Sequence, residues 1–236
     1  MFERPHHQRI QKVLQCFDNE LLTRANCFFG GGTAIVLALG EYRESVDIDF
    51  LCSDVAGYRL LRTSLALPRL GAVVNRPVEY VREVKTERDK ISTFLRVDEA
   101  PIKIEFVLEG RISIGGANDP ALGIPVLDRV DMYAEKLLAN TDRGLDRSTM
   151  SRDLIDLGMM IRGWGPIPAG AWAKAQQAYG SAVALHYGKC LALVENREHL
   201  RKSMRAMSMD TNLADDLVDA LKREAPAPIR APSPRN

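Results

Sequence analysis

Asp47 and Asp49 stand one residue apart in an otherwise apolar run, Val46-Asp47-Ile48-Asp49-Phe50-Leu51, shortly after three consecutive glycines, Gly30, Gly31 and Gly32. On a strand, residues i and i+2 share a face, so the two carboxylates point the same way while Val46, Ile48 and Phe50 point into the sheet. Paired carboxylates of this kind suit a divalent cation with oxygen ligands, whose charge offsets their mutual repulsion. The glycines read as a tight turn where backbone comes close to a ligand. The run Thr33 to Leu39 predicts a short helix next, so turn and helix N-terminus form a nest of amides for an anion. A divalent metal and a triphosphate are the ligands this combination fits. The pattern is not a P-loop, because no Gly-Lys-Ser/Thr follows. It is not a dinucleotide fingerprint either, because adjacent glycines lack that spacing.

The elements that must position these groups follow from periodicity. Residues 6–25 read as one amphipathic helix, with Ile10, Val13, Leu14, Phe17, Leu21 and Leu22 at helical spacing. His6 and His7, at its start, have no acidic or cysteine neighbours and read as surface residues. A helix over 54–67 follows, with Asp54 as its cap and Pro68 as its stop. Strands are predicted over 72–84, 90–98 and 102–109. The last places Ile102, Ile104 and Phe106 on one face and Lys103, Glu105 and Val107 on the other. Residues 112–127 read as loop. After Asp128 strand signals nearly vanish, and helices fit 128–140, 149–161, 171–180, 182–205 and 211–223. Arg152 and Asp156 are spaced i,i+4 and read as a surface pair, and the stretch 140–148, with Arg143, as a solvated loop. Leu213, Leu217 and Leu221 form a stripe that docks the last helix.

The sequence therefore predicts an α+β fold. A mixed-sheet half over residues 1–125 precedes a helical domain over 126–224, and a proline-rich tail covers 225–236. A hydrophobic content of 46% is ordinary for a globular chain, and a net charge of +1 without a polybasic tract gives no compositional case for nonspecific nucleic-acid binding. The four cysteines are scattered without zinc-ligand spacing and read as buried thiols in a reducing compartment. No apolar signal core or membrane-length run is present, so a cytoplasmic protein is expected.

The runs Gly31-Gly32-Thr33-Ala34 and Tyr42 to Phe50 resemble the first motif of the AbiEii/AbiGii toxin-type nucleotidyltransferases, within the DNA polymerase beta-like nucleotidyltransferase superfamily. Ala134-Glu135-Lys136-Leu137 and Arg152 to Leu157 are similar to later family elements, in the same order. The resemblance implies a polymerase-beta-like core. It implies that Gly31, Gly32, Thr33 and Ser45 hold the nucleotide, and that Asp47 and Asp49 bind two Mg²⁺. Lys103 and Glu105 stand where the family has Lys-x-Asp/Glu, which makes Glu105 the third metal ligand and a helper in deprotonating the acceptor hydroxyl. Glu replaces the commoner Asp there, and its extra methylene moves the base. Lys136 would reach the triphosphate as a mobile charge, with Asp153 holding it; whether Asp153 or Asp156 has that role stays open.

The implied reaction moves a nucleoside monophosphate from a nucleoside triphosphate such as ATP to an acceptor hydroxyl, with pyrophosphate leaving. The implied setting is a type IV toxin–antitoxin or phage-defence pair acting on tRNA, with an antitoxin containing a winged-helix domain. The same chemistry on a protein or small-molecule acceptor, and a non-catalytic binding module, are the alternatives.

Overall fold

A computed structural model describes residues 2–226, so the tail expected over 225–236 lies outside the described residues from 227 onward. The chain divides into two compact units, 1–132 and 133–236. The division falls a few residues beyond the expected boundary, inside a helix.

The first unit is built on a mixed sheet. Its strands are β1 (Cys27–Gly30), β2 (Ile48–Cys52), β3 (Glu79–Thr86), β4 (Lys90–Val97), β5 (Ala100–Leu108), β6 (Gly116–Asp119) and β7 (Ile124–Leu127). Among the described residues they lie in the order β3-β4-β5-β2-β1-β7-β6. The pairs β2–β5 and β1–β7 are parallel; the other neighbours are antiparallel. Strict alternation in β4 and β5 sends Ile91, Leu95, Ile102, Ile104 and Phe106 into the core. Phe50 stacks on Phe106 with ring centroids 4.9 Å apart, and Phe17 meets Phe50 edge-on at 4.9 Å. Burying these rings fixes which way each strand faces, because a one-residue slip would turn the core outward.

The helices of this unit are α1 (Pro5–Leu14), α2 (Asn19–Arg24), α3 (Gly31–Ala38) and α4 (Val55–Ser64). The helix expected over 6–25 is two helices. Asp18 interrupts it by accepting from Leu21 N–H, as an N-cap does. Asp54 caps α4 as expected, accepting from Ala56 and Gly57. The expected loop 112–127 holds the hairpin β6–β7, whose short strands are joined by a turn over 120–123 and carry little alternation. The strand expected from 72 begins only at Glu79. Val46 is 48% exposed and precedes β2, so it does not point into the sheet.

The helix α5 (Arg129–Arg143) contains the division, and α6 (Arg152–Trp164), α7 (Ala169–Tyr179), α8 (Ala182–Glu195), α9 (Arg197–Ala206) and α10 (Ala214–Arg223) complete the second unit. The helix expected over 182–205 is α8 and α9, separated by Asn196, which caps α9. Leu217 and Leu221 are fully buried, as the stripe predicts. Gly158 lets α10 close on α6, since a Cβ there would lie 2.8 Å from Leu217. The fold is thus a mixed α+β core followed by a helical bundle. Among the described residues no helix is long and apolar enough to cross a membrane.

Candidate active site

Gly30 ends β1 and Gly31 opens α3. Gly31 has φ +68°, a left-handed value that suits glycine. A Cβ on Gly31 would lie 2.5 Å from Asp49 Oδ2. Backbone and carboxylate therefore share one small space. Gly30 as N-cap contributes no side chain to the first turn of α3, so that turn keeps the amide-lined end expected for an anion.

Strand register brings the acids together. Gly30 pairs with Asp49 across β1–β2, and Asp49 pairs with Glu105 across β2–β5. Ser92 of β4 pairs with Glu105 on its other side. The row Gly30–Asp49–Glu105–Ser92 thus crosses the sheet, and Asp49, Lys103 and Glu105 stay partly accessible while Ile48, Phe50, Ile104 and Phe106 are buried.

Lys103 Nζ lies 2.7 Å from Glu105 Oε2, and Lys90 Nζ lies 3.6 Å from Oε1. Burial pulls the Lys103 pKa down, but the hydrogen bond and charge of Glu105, with the charges of Asp47 and Asp49, outweigh it and raise the pKa above its ordinary value. An ammonium thus stands in the field of all three acids. Among the described residues no three His, Cys, Asp or Glu side chains form a group that could hold a metal. The expected ligand set is therefore not closed around one point: Glu105 is drawn to two lysines, and Asp47 lies ahead of β2. The donors are all carboxylate oxygens and a cation already sits among them, so their chemistry suits Mg²⁺.

The loop carrying Asp47 is held from behind. Thr33 is buried, and its hydroxyl donates to the Asp47 carbonyl at 2.5 Å and lies 2.8 Å from Ser45 Oγ. Both hydroxyls expected on the nucleotide are engaged with each other, and that of Thr33 also with the Asp47 carbonyl. Ser45 N–H donates to His7 Nε2 at 3.1 Å, which leaves the ring proton on Nδ1 to face Glu41 Oε1 at 2.7 Å. Glu41 also accepts from the Glu3 and Arg4 amides. His7 is fully buried, not a surface residue. Burial lowers its pKa more than Glu41 raises it, so the ring is neutral near neutral pH. Its partner is 34 positions away, beyond the reach of local pattern.

In the second unit Lys136 Nζ lies 2.9 Å from Asp153 Oδ1 and 2.7 Å from Asp156 Oδ2. Arg143 Nε donates to Asp153 Oδ2 at 2.7 Å. Arg143 belongs to α5 rather than to a solvated loop, two turns beyond Lys136 on the same face. Asp153, Asp156 and Lys136 are all buried, so the expected surface pair of Arg152 with Asp156 is replaced by a buried ion cluster. Burial pushes the Asp153 pKa up, but Lys136 and Arg143 overcome this and hold it well below the carboxylate range. Both candidate acids hold the lysine. Lys136 is buried and bridged by two carboxylates, whereas Lys103 is about one-third exposed and paired with Glu105.

A family model described as nucleotidyl transferase AbiEii toxin, type IV TA system, matches residues 13–227. The chain belongs to this family. It is an NTP-dependent nucleotidyltransferase of the AbiEii toxin type, and the Gly30–Asp49–Glu105 row lies inside the matched span. Comparison with curated protein sequences finds no match. Two Helicobacter pylori crystal structures share the fold. One, of a candidate nucleotidyltransferase, has a TM-score of 0.53 at 14% identity, covering 93% of each chain. The other, of JHP933, has a TM-score of 0.52 at 13% identity, covering 95% of this chain and 94% of that one.

Proposed function

We propose that this AbiEii-type enzyme transfers a nucleoside monophosphate to a hydroxyl of tRNA, and that a winged-helix antitoxin is its partner. The observation that carries the reading is the register of Asp49 with Glu105 beside Gly31. Asp47, Asp49 and Glu105 would hold two Mg²⁺, which supply Lewis acidity and offset charge at the reacting phosphate. The amides at Gly31 and Gly32 take the β and γ phosphates at the start of α3. Lys103 leaves Glu105 for the triphosphate and steadies the developing negative charge. The Glu105 carboxylate then accepts the hydroxyl proton. The acceptor oxygen bonds to the α phosphorus, the bond from that phosphorus to the bridging oxygen breaks, and pyrophosphate departs with its electron pair. Lys136, Asp153 and Asp156 contribute by clamping α5 to α6.

The test is incubation with Mg²⁺, total RNA and each α-labelled nucleoside triphosphate, beside an Asp47→Ala, Asp49→Ala variant. Label on a tRNA band that disappears with the variant supports the reading. Nucleotide binding without RNA labelling sinks the tRNA acceptor and moves the search to proteins and small molecules.

A further inference from the structure

On the acid-bearing face of the first unit's sheet, strand register runs past Glu105 to the far edge. Glu105 pairs with Ser92, and Ser92 pairs with Lys85 of β3. A second row runs beside it, from Lys103 through Phe94 to Arg82. Among the described residues β3 is an edge strand. Its pairing with β4 shifts twice, between Tyr80 and Arg82 and between Arg82 and Lys85. The first shift turns Arg82 away from the face of Tyr80, whose hydroxyl accepts from the Leu70 amide. In a regular strand residues three apart point to opposite faces; the second shift instead puts Lys85 on the face of Arg82, alongside Phe94 and Ser92.

The Arg82 guanidinium carbon lies 4.8 Å from the centroid of the Phe94 ring. Phe94 is half-buried, whereas Arg82 and Lys85 are exposed. Lys90 and Lys103 are engaged with Glu105, and Arg96 with Glu79. Among the described residues Arg82 and Lys85 make no ion pair. Glu83, between them, has no register partner on β4. A guanidinium backed by an aromatic ring offers its other face to a nucleobase, and a lysine without an acid partner is a point charge for a phosphate. Adjacent strands lie about 4.8 Å apart, so the row from Asp49 to Lys85 spans roughly 14 Å. That suits the end of a chain better than a single nucleoside. We propose that this β5-β4-β3 face binds a single-stranded end of RNA, with a base stacked on Arg82 over Phe94 and a phosphate on Lys85. The inference rests on the RNA-acceptor reading, in which the terminal hydroxyl of that strand lies at Glu105. A single strand leaves its bases free to stack, and a blunt duplex does not.

The test is fluorescence anisotropy titration of the full chain in Mg²⁺ with a labelled single-stranded RNA of about ten nucleotides and with the same strand in a blunt duplex, beside label transfer to tRNA. The single strand should bind saturably and more tightly than the duplex. Its affinity should fall at least about tenfold in Arg82→Ala/Lys85→Ala and roughly tenfold in Phe94→Leu, which keeps an apolar side chain but removes the ring. In transfer, the first variant should raise KM for tRNA and leave KM for the nucleotide unchanged, a split that a general loss of structure would not give. Both cations are exposed, and an unchanged thermal melt establishes that this variant is folded. Absence of single-strand binding up to about 100 μM overturns the proposal, as does equal affinity for the duplex. Label on tRNA from an enzyme whose RNA binding ignores Arg82 and Lys85 overturns this surface alone. RNA binding that needs them, with no RNA labelled, keeps the surface and sinks the tRNA acceptor.

Discussion

The Asp49 carboxylate fills the space that a side chain on Gly31 would need, with Oδ2 2.5 Å from the position of a Cβ. One contact therefore joins the glycine turn to the acid row. Gly31→Ala places a side chain at φ +68°, which costs about 1–2 kcal/mol, and it also pushes the carboxylate aside. A catalytic group displaced by about 1 Å can lose roughly 10²-fold in rate. The expected outcome is a folded variant with a small loss in unfolding free energy and a much larger loss in label transfer. Comparable losses in both would make the glycine merely structural.

Glu105 and Lys103 should separate kinetically. Glu105→Gln keeps the shape and removes the base, so turnover should fall by about 10²–10⁴-fold with nucleotide affinity little changed. Lys103→Met removes the mobile cation, so KM for the nucleotide should rise. Steady-state kinetics and nucleotide titration of each variant check this. A Glu105→Gln enzyme with normal turnover would remove Glu105 from the chemistry.

The buried cluster of Lys136, Asp153 and Asp156 should dominate the stability of the second unit. Lys136→Met removes the buried cation that two carboxylates share, leaving Asp153 to Arg143, and should cost about 3–5 kcal/mol, read by denaturant unfolding. The folded pKa of Asp153 is depressed, so its stabilising contribution is complete above the ordinary carboxylate value of about 3.9. It is lost as pH falls from there toward the folded value. Asp153→Asn should be less stable at neutral pH and show a shallower acid slope.

His7 gives a second pH dependence at higher pH. Its folded pKa is lowered, chiefly by burial, so the unfolded chain takes up the proton first. The contribution of the neutral ring is full above about pH 6.5 and declines below it. Protonation also turns Nε2 into a donor facing the Ser45 amide, which loosens the loop behind Asp47. Thermal melts between about pH 5 and 7 should steepen this loss in the wild type and flatten it in His7→Gln. An unchanged slope would show that His7 does not titrate in this range.

What was legible in the sequence was local. The glycine turn, the Asp-x-Asp strand, the Asp54 cap and the alternation of β5 each rest on a few neighbouring residues. Glu105 was visible on the accessible face of its strand, but its register with Asp49 depends on a parallel pairing across more than fifty positions, which only the resemblance suggested. Asp18 and Asn196 are good helix caps, yet continuous apolar periodicity on both sides concealed them. Asp156 and His7 read as surface groups because their partners, Lys136 and Glu41, lie elsewhere in the chain. A charge looks solvated in sequence until the group that neutralises it is located.

The parallel register of β2 and β5 also acts as a ruler. Adjacent strands keep a spacing of about 4.8 Å, set by backbone hydrogen bonds and indifferent to side-chain identity. The gap between the two acids can therefore be retuned only in steps of a side-chain carbon, about 1.5 Å each. Glu105 is the longer of the two available settings. At this position Glu105→Asp is the one carboxylate-conserving adjustment, and its effect on turnover measures how finely this spacing has been selected.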